Sequence, residues 1–169
     1  TKKNILSLAS IFGEDGTKKA KSELATLDKE IQTVVAANEK SNKNALAMML
    51  NEGAISAFGA KSRFAFLYST LKFKPTDAKI KESRHGQEVS FESIKQINPD
   101  IIFVLNRTLA IGGDNSANKD LLNNSLIQET NAAKNKTIVN LTSDLWYLSG
   151  GGLESTKLMI EDVKNVAGK

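Results

Sequence analysis

This 169-residue chain predicts an α/β lobe, three layers deep around a mostly parallel sheet and preceded by one long helix. Three features carry that expectation. Ile101–Leu105 is wholly apolar, as in strands covered on both faces in the middle of a parallel sheet. From Ala45 onward the segments read strand, strand, helix, helix, strand, helix, strand, helix, an order that stacks helices against a sheet. Ahead of them lies a helical stretch, Thr17–Asn38, too long to be an ordinary connector between strands.

Lys2–Phe12 places Ile5, Leu8, Ala9 and Phe12 on one helical face and stops at Gly13. The long helix follows, with Asp15 or Thr17 as its cap. Its stripe of Ala20, Leu24, Leu27, Ile31, Val34 and Val35 is narrow and ringed by charge. At ~1.5 Å per residue it spans roughly 33 Å, the length of a strut. A coiled-coil hairpin with residues 2–12 is the alternative, with room for only about two heptads.

Ala45–Leu50 and Ala54–Phe58 read as strands around an Asn51-Glu52-Gly53 turn, and Lys61–Leu71 reads as a helix. Lys72–Glu88 is irregular and polar. Phe91–Ile97 is a short helix that Pro99 must end. After a Gly-Gly loop at Ile111–Asn115 come helical segments through Asn118–Asn135. A second buried strand at Thr137–Leu141 follows, then the Ser149–Gly152 turn and an amphipathic helix, Leu153–Val166.

Composition removes several function classes. Apolar residues at 40% and charged residues at 25% describe a globular domain. The net charge of +4 invites nucleic acid, yet the lysines form no dense block and the seven Phe fall on apolar faces, so no nucleic-acid partner is expected. Without cysteine there is no disulfide, thiol nucleophile or Cys-based zinc site. No run approaches the ~20 apolar residues of a membrane span. Residues 1–13 lack a cleavable-signal pattern, so a targeting segment of an exported protein is expected upstream.

The single histidine, His85, and all three arginines, Arg63, Arg84 and Arg107, share one window, whereas the lysines are spread from end to end. Arginine presents a planar fork of donors, so this grouping points to a large anionic ligand. Ligands of open α/β sheets bind beyond the carboxyl ends of the strands. Arg63, Arg107 and Tyr147 each follow a predicted strand and are expected at one edge; periodicity does not fix the loop that carries His85. Blander fates remain open for each: a surface histidine, an Arg107 pair with Asp100 or Asp114, a Trp146–Tyr147 hydrophobic plug, and a glycine run that merely turns. Enzyme chemistry has little support, since no Cys–His pair exists and no G-x-S-x-G turn appears.

Several segments, read in order, resemble one family. They are Ile55-Ser56-Ala57-Phe58-Gly59 with Ser62-Arg63-Phe64, Arg84-His85-Gly86, Ser93-Ile94 through Asn98-Pro99-Asp100-Ile101-Ile102-Phe103-Val104, Asn106-Arg107, and Trp146-Tyr147-Leu148-Ser149-Gly150-Gly151-Gly152-Leu153-Glu154-Ser155. Together they resemble the C-terminal half of the iron–siderophore substrate-binding proteins of bacterial ABC importers, of the catecholate type. The resemblance implies the helical-backbone periplasmic binding protein fold, with residues 1–14 a remnant of an N-terminal lobe, 15–40 the inter-lobe helix and 41–169 the C-terminal ligand-binding lobe. Most of the N-terminal lobe would then lie outside this sequence.

By the same resemblance His85 and Tyr147 coordinate ferric iron. Arg63 and Arg107 hold catecholate oxygens, Arg84 is a rim charge, Trp146 packs beside the site, and Glu92 docks on an ABC permease subunit. The implied ligand is Fe(III) as a siderophore complex, and the implied setting is extracytoplasmic, in the periplasm or as a lipoprotein on the outer face of the membrane. A monomer is the default state. A haem-binding member of the same fold and a small α/β enzyme on an anionic substrate stand as alternatives.

Overall fold

The computed structural model describes residues 2–169 and opens on two helices, α1 (Lys2–Ser10) and α2 (Gly13–Glu39). Gly13, at φ +75°, makes the reversal between them, and Lys2 reaches back to Asp28, so α1 lies along the first half of α2. This hairpin starts α2 four residues before the expected Thr17. No side chain caps it: the Thr17 hydroxyl donates to the Gly13 carbonyl inside the helix. Glu14 and Asp15 instead favour the start by lying in the first turn, near the positive end of the helix dipole.

The strands are β1 (Asn44–Asn51), β2 (Ala54–Phe58), β3 (Lys74–Pro75), β4 (Gln87–Glu88), β5 (Ile101–Asn106) and β6 (Ile138–Asn140). They form one sheet in the order β4-β2-β1-β5-β6, with β3 also on β1. The pairs β1–β5, β5–β6 and β1–β3 are parallel; β1–β2 and β2–β4 are antiparallel. Because strand side chains alternate, the central strands bury both faces. Ala45, Ala47, Met49, Ile101, Phe103 and Leu105 face the layer that holds α2 and α8 (Leu153–Lys164). Leu46, Met48, Leu50, Ile102 and Val104 face α3 (Phe91–Ile97), α5 (Ser125–Gln128) and α6 (Asn131–Lys134).

The Asn98-Pro99-Asp100 segment joins these layers. Asn98 ends α3 in the left-handed region at φ +47°, and its side-chain oxygen accepts the Asn131 N–H. Asp100 accepts from the Asn44 N–H at 3.1 Å and from the Asn131 amide at 3.1 Å. It thereby aligns the starts of β1 and β5.

Three expectations need correction. Lys61–Leu71 is a run of turns with a single π-helical turn at Phe66–Thr70, from which the Tyr68 hydroxyl bonds β1. The irregular 72–88 segment contains β3 and β4, each only two residues long. The strand at Thr137–Leu141 shortens to a half-buried edge, β6. The helical segments expected over Asn118–Asn135 are present as two 3₁₀ turns and two four-residue helices. No helix among the described residues is long and apolar enough to cross a membrane.

Candidate functional site

Tyr147 is the centre of the site. It lies near the end of α7 (Ser143–Leu148) and packs half-buried against the core. Arg107 opens α4 (Arg107–Ala110) directly after β5, where Asn106 caps the helix by accepting the Leu109 N–H. From there Arg107 Nε donates to the Tyr147 hydroxyl at 2.8 Å and Nη1 donates to Asn51 Oδ1 at 2.7 Å. Arg63 covers the other side, its guanidinium 4.1 Å from the Tyr147 ring centre and Nη2 donating to the Tyr147 carbonyl at 3.4 Å. Among the described residues neither arginine forms an ion pair, so both keep their charge for the site.

That environment changes the phenol. The hydrogen bond from Arg107 holds Tyr147 below the ordinary tyrosine value; partial desolvation opposes this, and Arg63 adds to the lowering. An acidified phenol between two fixed cations is a hard oxygen donor, suited to a hard metal such as ferric iron.

Arg63 reaches Tyr147 by a different route from the expected one. β2 is antiparallel to β1, with Phe58 opposite Ala47 and Ala54 opposite Asn51, so its carboxyl end points away from the edge that carries Arg107. The segment after Phe58 runs back across the helical face, and the long side chain of Arg63 completes the approach.

His85 sits in the Arg84–His85 turn that precedes β4. Ser83 Oγ accepts its N–H at 3.2 Å. Gly86, at φ +77°, lets the turn seat on β2, because a Cβ there would lie 2.8 Å from the Phe58 ring and 2.9 Å from the Ala57 carbonyl. The turn is further held by Glu82, whose Oε1 accepts the Lys61 N–H at 3.1 Å. The imidazole is exposed. Lys61, Ser62, Arg63, Glu82, Ser83 and Arg84 enclose a pocket of about 330 Å³. Direct contact therefore joins Arg63, Arg107 and Tyr147, and a shared pocket joins Arg84 to Arg63. Among the described residues the His85 imidazole forms no hydrogen bond with any of them.

Trp146 is buried, with Nε1 donating to Asp162 at 2.8 Å and its ring 6.1 Å from that of Phe66. With Arg63 and Phe66 it borders an apolar cavity of about 420 Å³ beneath α2. Glu92 is exposed in the first turn of α3, behind the Ser90 cap. Asn51, which sequence reasoning read as a turn residue, is a direct partner of Arg107, and nothing in its local pattern announces that.

Residues 1–145 match the family described as periplasmic binding protein. The chain belongs to that family. This binding-protein chain is 45% identical over 159 residues to the petrobactin-binding protein YclQ of Bacillus subtilis, covering 94% of itself and 49% of YclQ. It is 33% identical over 162 residues to the ferric-anguibactin-binding protein FatB of Vibrio anguillarum, covering 96% of itself and 50% of FatB. Among solved structures, the iron uptake ABC transporter substrate-binding protein PiuA of Streptococcus pneumoniae superposes with a TM-score of 0.91 at 73% identity. That match covers 95% of this chain and 57% of PiuA. The binding-protein chain thus spans about half the length of the curated relatives it matches.

Proposed function

We propose that this chain supplies the ligand-holding lobe of an extracytoplasmic solute-binding protein that captures a ferric catecholate siderophore and passes it to an ABC permease for iron uptake. In this reading residues 41–169 are the lobe and the helix through 15–40 is the strut beside it. The protein's work is binding rather than catalysis. The observation that carries the reading is Tyr147, acidified by Arg107 and stacked beneath Arg63. The names of its relatives, petrobactin-binding, ferric-anguibactin-binding and iron uptake, favour the same cargo.

The chemistry is consistent. A linear bis-catecholate fills four of the six octahedral positions of Fe(III) and leaves two for protein donors. The Tyr147 phenolate and the His85 imidazole are assigned to those two. The complex remains anionic, so Arg63, Arg84 and Arg107 attract it, each charge-assisted hydrogen bond contributing about 1.5–3 kcal/mol. Trp146 supports the site from the core, and Glu92 is assigned to permease docking.

The test uses the only tryptophan of the chain. Ferric bis-catecholate is expected to quench Trp146 fluorescence and to show a charge-transfer band shifted by the protein donors. Tyr147→Phe should shift that band back toward the free complex, and His85→Ala should shift it and weaken binding. Binding with an unchanged band in Tyr147→Phe would remove Tyr147 from the metal. A Soret shift with haem and no response to the catecholate would replace the cargo.

A further inference from the structure

Arg107 is held at two points before any ligand arrives: Nε on the Tyr147 hydroxyl and Nη1 on Asn51 Oδ1. A flexible arginine side chain loses considerable entropy when fixed in one geometry, so the second point matters. Asn51 is well placed to provide it. It ends β1 and pairs with Ala54 across the turn, while its neighbour Leu50 lies opposite Asn106 on β5, next to Arg107 in the chain.

The turn itself is anchored. The Glu52 N–H donates to Thr108 Oγ1 at 3.1 Å, and the Gly53 N–H donates to Asn118 Oδ1 at 2.8 Å. The Asn118 amide in turn donates to Thr108 Oγ1 at 2.9 Å and to Asn106 Oδ1 at 3.2 Å. Asn118 and Thr108 are 3% and 4% exposed, so these bonds have little competition from water. The β1–β2 turn is therefore locked to the β5–α4 junction, and the amide oxygen of Asn51 is presented to Arg107 by a rigid frame.

We propose that Asn51 is a positioning residue for iron capture: it fixes the Arg107 guanidinium so that Nε meets the Tyr147 oxygen, and it contacts neither metal nor siderophore. This rests on the reading of Tyr147 as an iron ligand. Partners that orient metal ligands from the outer shell are generally worth about 10–100-fold in metal affinity when removed. The frame also assigns Arg107 a role distinct from that of Arg63. Arg107 acts largely through Tyr147, whereas Arg63 faces the pocket shared with Arg84.

The experiment compares Asn51→Leu, which removes the acceptor, with Asn51→Asp, which keeps one. The first readout is metal-free: the three arginines give three Nε–H resonances, and that of Arg107 should be protected from solvent exchange. Protection should be lost in Asn51→Leu and kept in Asn51→Asp. The second is binding of ferric bis-catecholate, which should weaken about 10–100-fold in Asn51→Leu, with a shifted charge-transfer band, and recover in Asn51→Asp. Wild-type protection or wild-type affinity in Asn51→Leu overturns the proposal, as does an equal loss in both variants. If the wild type fails to bind the ferric complex while the exchange pattern changes as expected, the iron reading fails and the orientation of Arg107 by Asn51 stands.

Discussion

Tyr68 and Tyr147 share a side chain and are driven in opposite directions by their neighbours. Tyr68 is buried, accepts the Ala47 N–H at 3.0 Å and donates to the Ala45 carbonyl at 3.3 Å. It fills the edge of β1 between its pairing with β2 and its pairing with β3, and burial pushes its phenol well above the ordinary value. Tyr68→Phe leaves the Ala47 N–H without a partner, so urea denaturation should show a loss of about 1–3 kcal/mol. Affinity for the ferric complex should stay as it was, because Tyr68 is not among the groups around Tyr147. For Tyr147 the sign is reversed. A phenol must lose its proton to ligate iron, so binding weakens as pH falls, and the lowering by Arg107 moves that loss to lower pH. In Arg107→Met the loss should begin at higher pH. A pH titration of the charge-transfer band, with Tyr147→Phe as the blank, measures the displacement; identical profiles would mean that Arg107 does not tune the phenol.

Among the elements, α2 is fastened mainly by its second half. Asn38, almost fully buried, donates to the Leu71 carbonyl at 2.8 Å and accepts the Gly168 N–H at 3.0 Å, tying the helix end to both the π-turn and the carboxyl terminus. Nearer its start, Glu23 pairs with Lys157 on α8. Before Glu23 the described residues show no such tie: α1 buries none of its residues, and Leu8, Ile11 and Phe12 are exposed. Asn38→Ala removes both buried bonds and should cost about 2 kcal/mol or more, read as a lower melting temperature with iron affinity retained. Periodicity made several elements legible, namely the stripe of α2, the apolar runs of β1 and β5, and the face of α8, because each is fixed by the burial of its own side chains. The other elements answer to distant partners. β3 and β4 are two residues long and exist only because β1 and β2 offer free edges. The direction of β2, and with it the route of Arg63, depends on a tight turn whose anchors, Thr108 and Asn118, lie over fifty residues away. At the site, the grouping of arginines with Tyr147 was legible as residue type and order, whereas Asn51 was not, since an asparagine after a strand reads the same whether or not an arginine reaches it.

For the molecule as a whole, the groups assigned above to capture and to docking lie on different layers of the sheet. Tyr147 packs with the cluster under α2 and α8, while α3, which carries Glu92, packs through Ile94 on the opposite face. Glu92 is exposed on a helix whose start is fixed by Ser90, which accepts the Ser93 N–H at 3.2 Å, so its carboxylate projects from a rigid support. In the proposed reading a charge so placed, on the layer opposite Tyr147, serves a cationic residue on a membrane partner rather than the iron. Reversing that charge should therefore separate the two activities. In Glu92→Arg the affinity for ferric bis-catecholate, read by Trp146 quenching, should match the wild type, because no group around Tyr147 is touched. Iron uptake by cells that carry the permease and depend on this binding protein should fall to background, because like charges now meet at the contact. Uptake at the wild-type rate would take Glu92 out of docking and leave the ligand site untouched. Loss of binding together with uptake would show instead that the two layers are coupled.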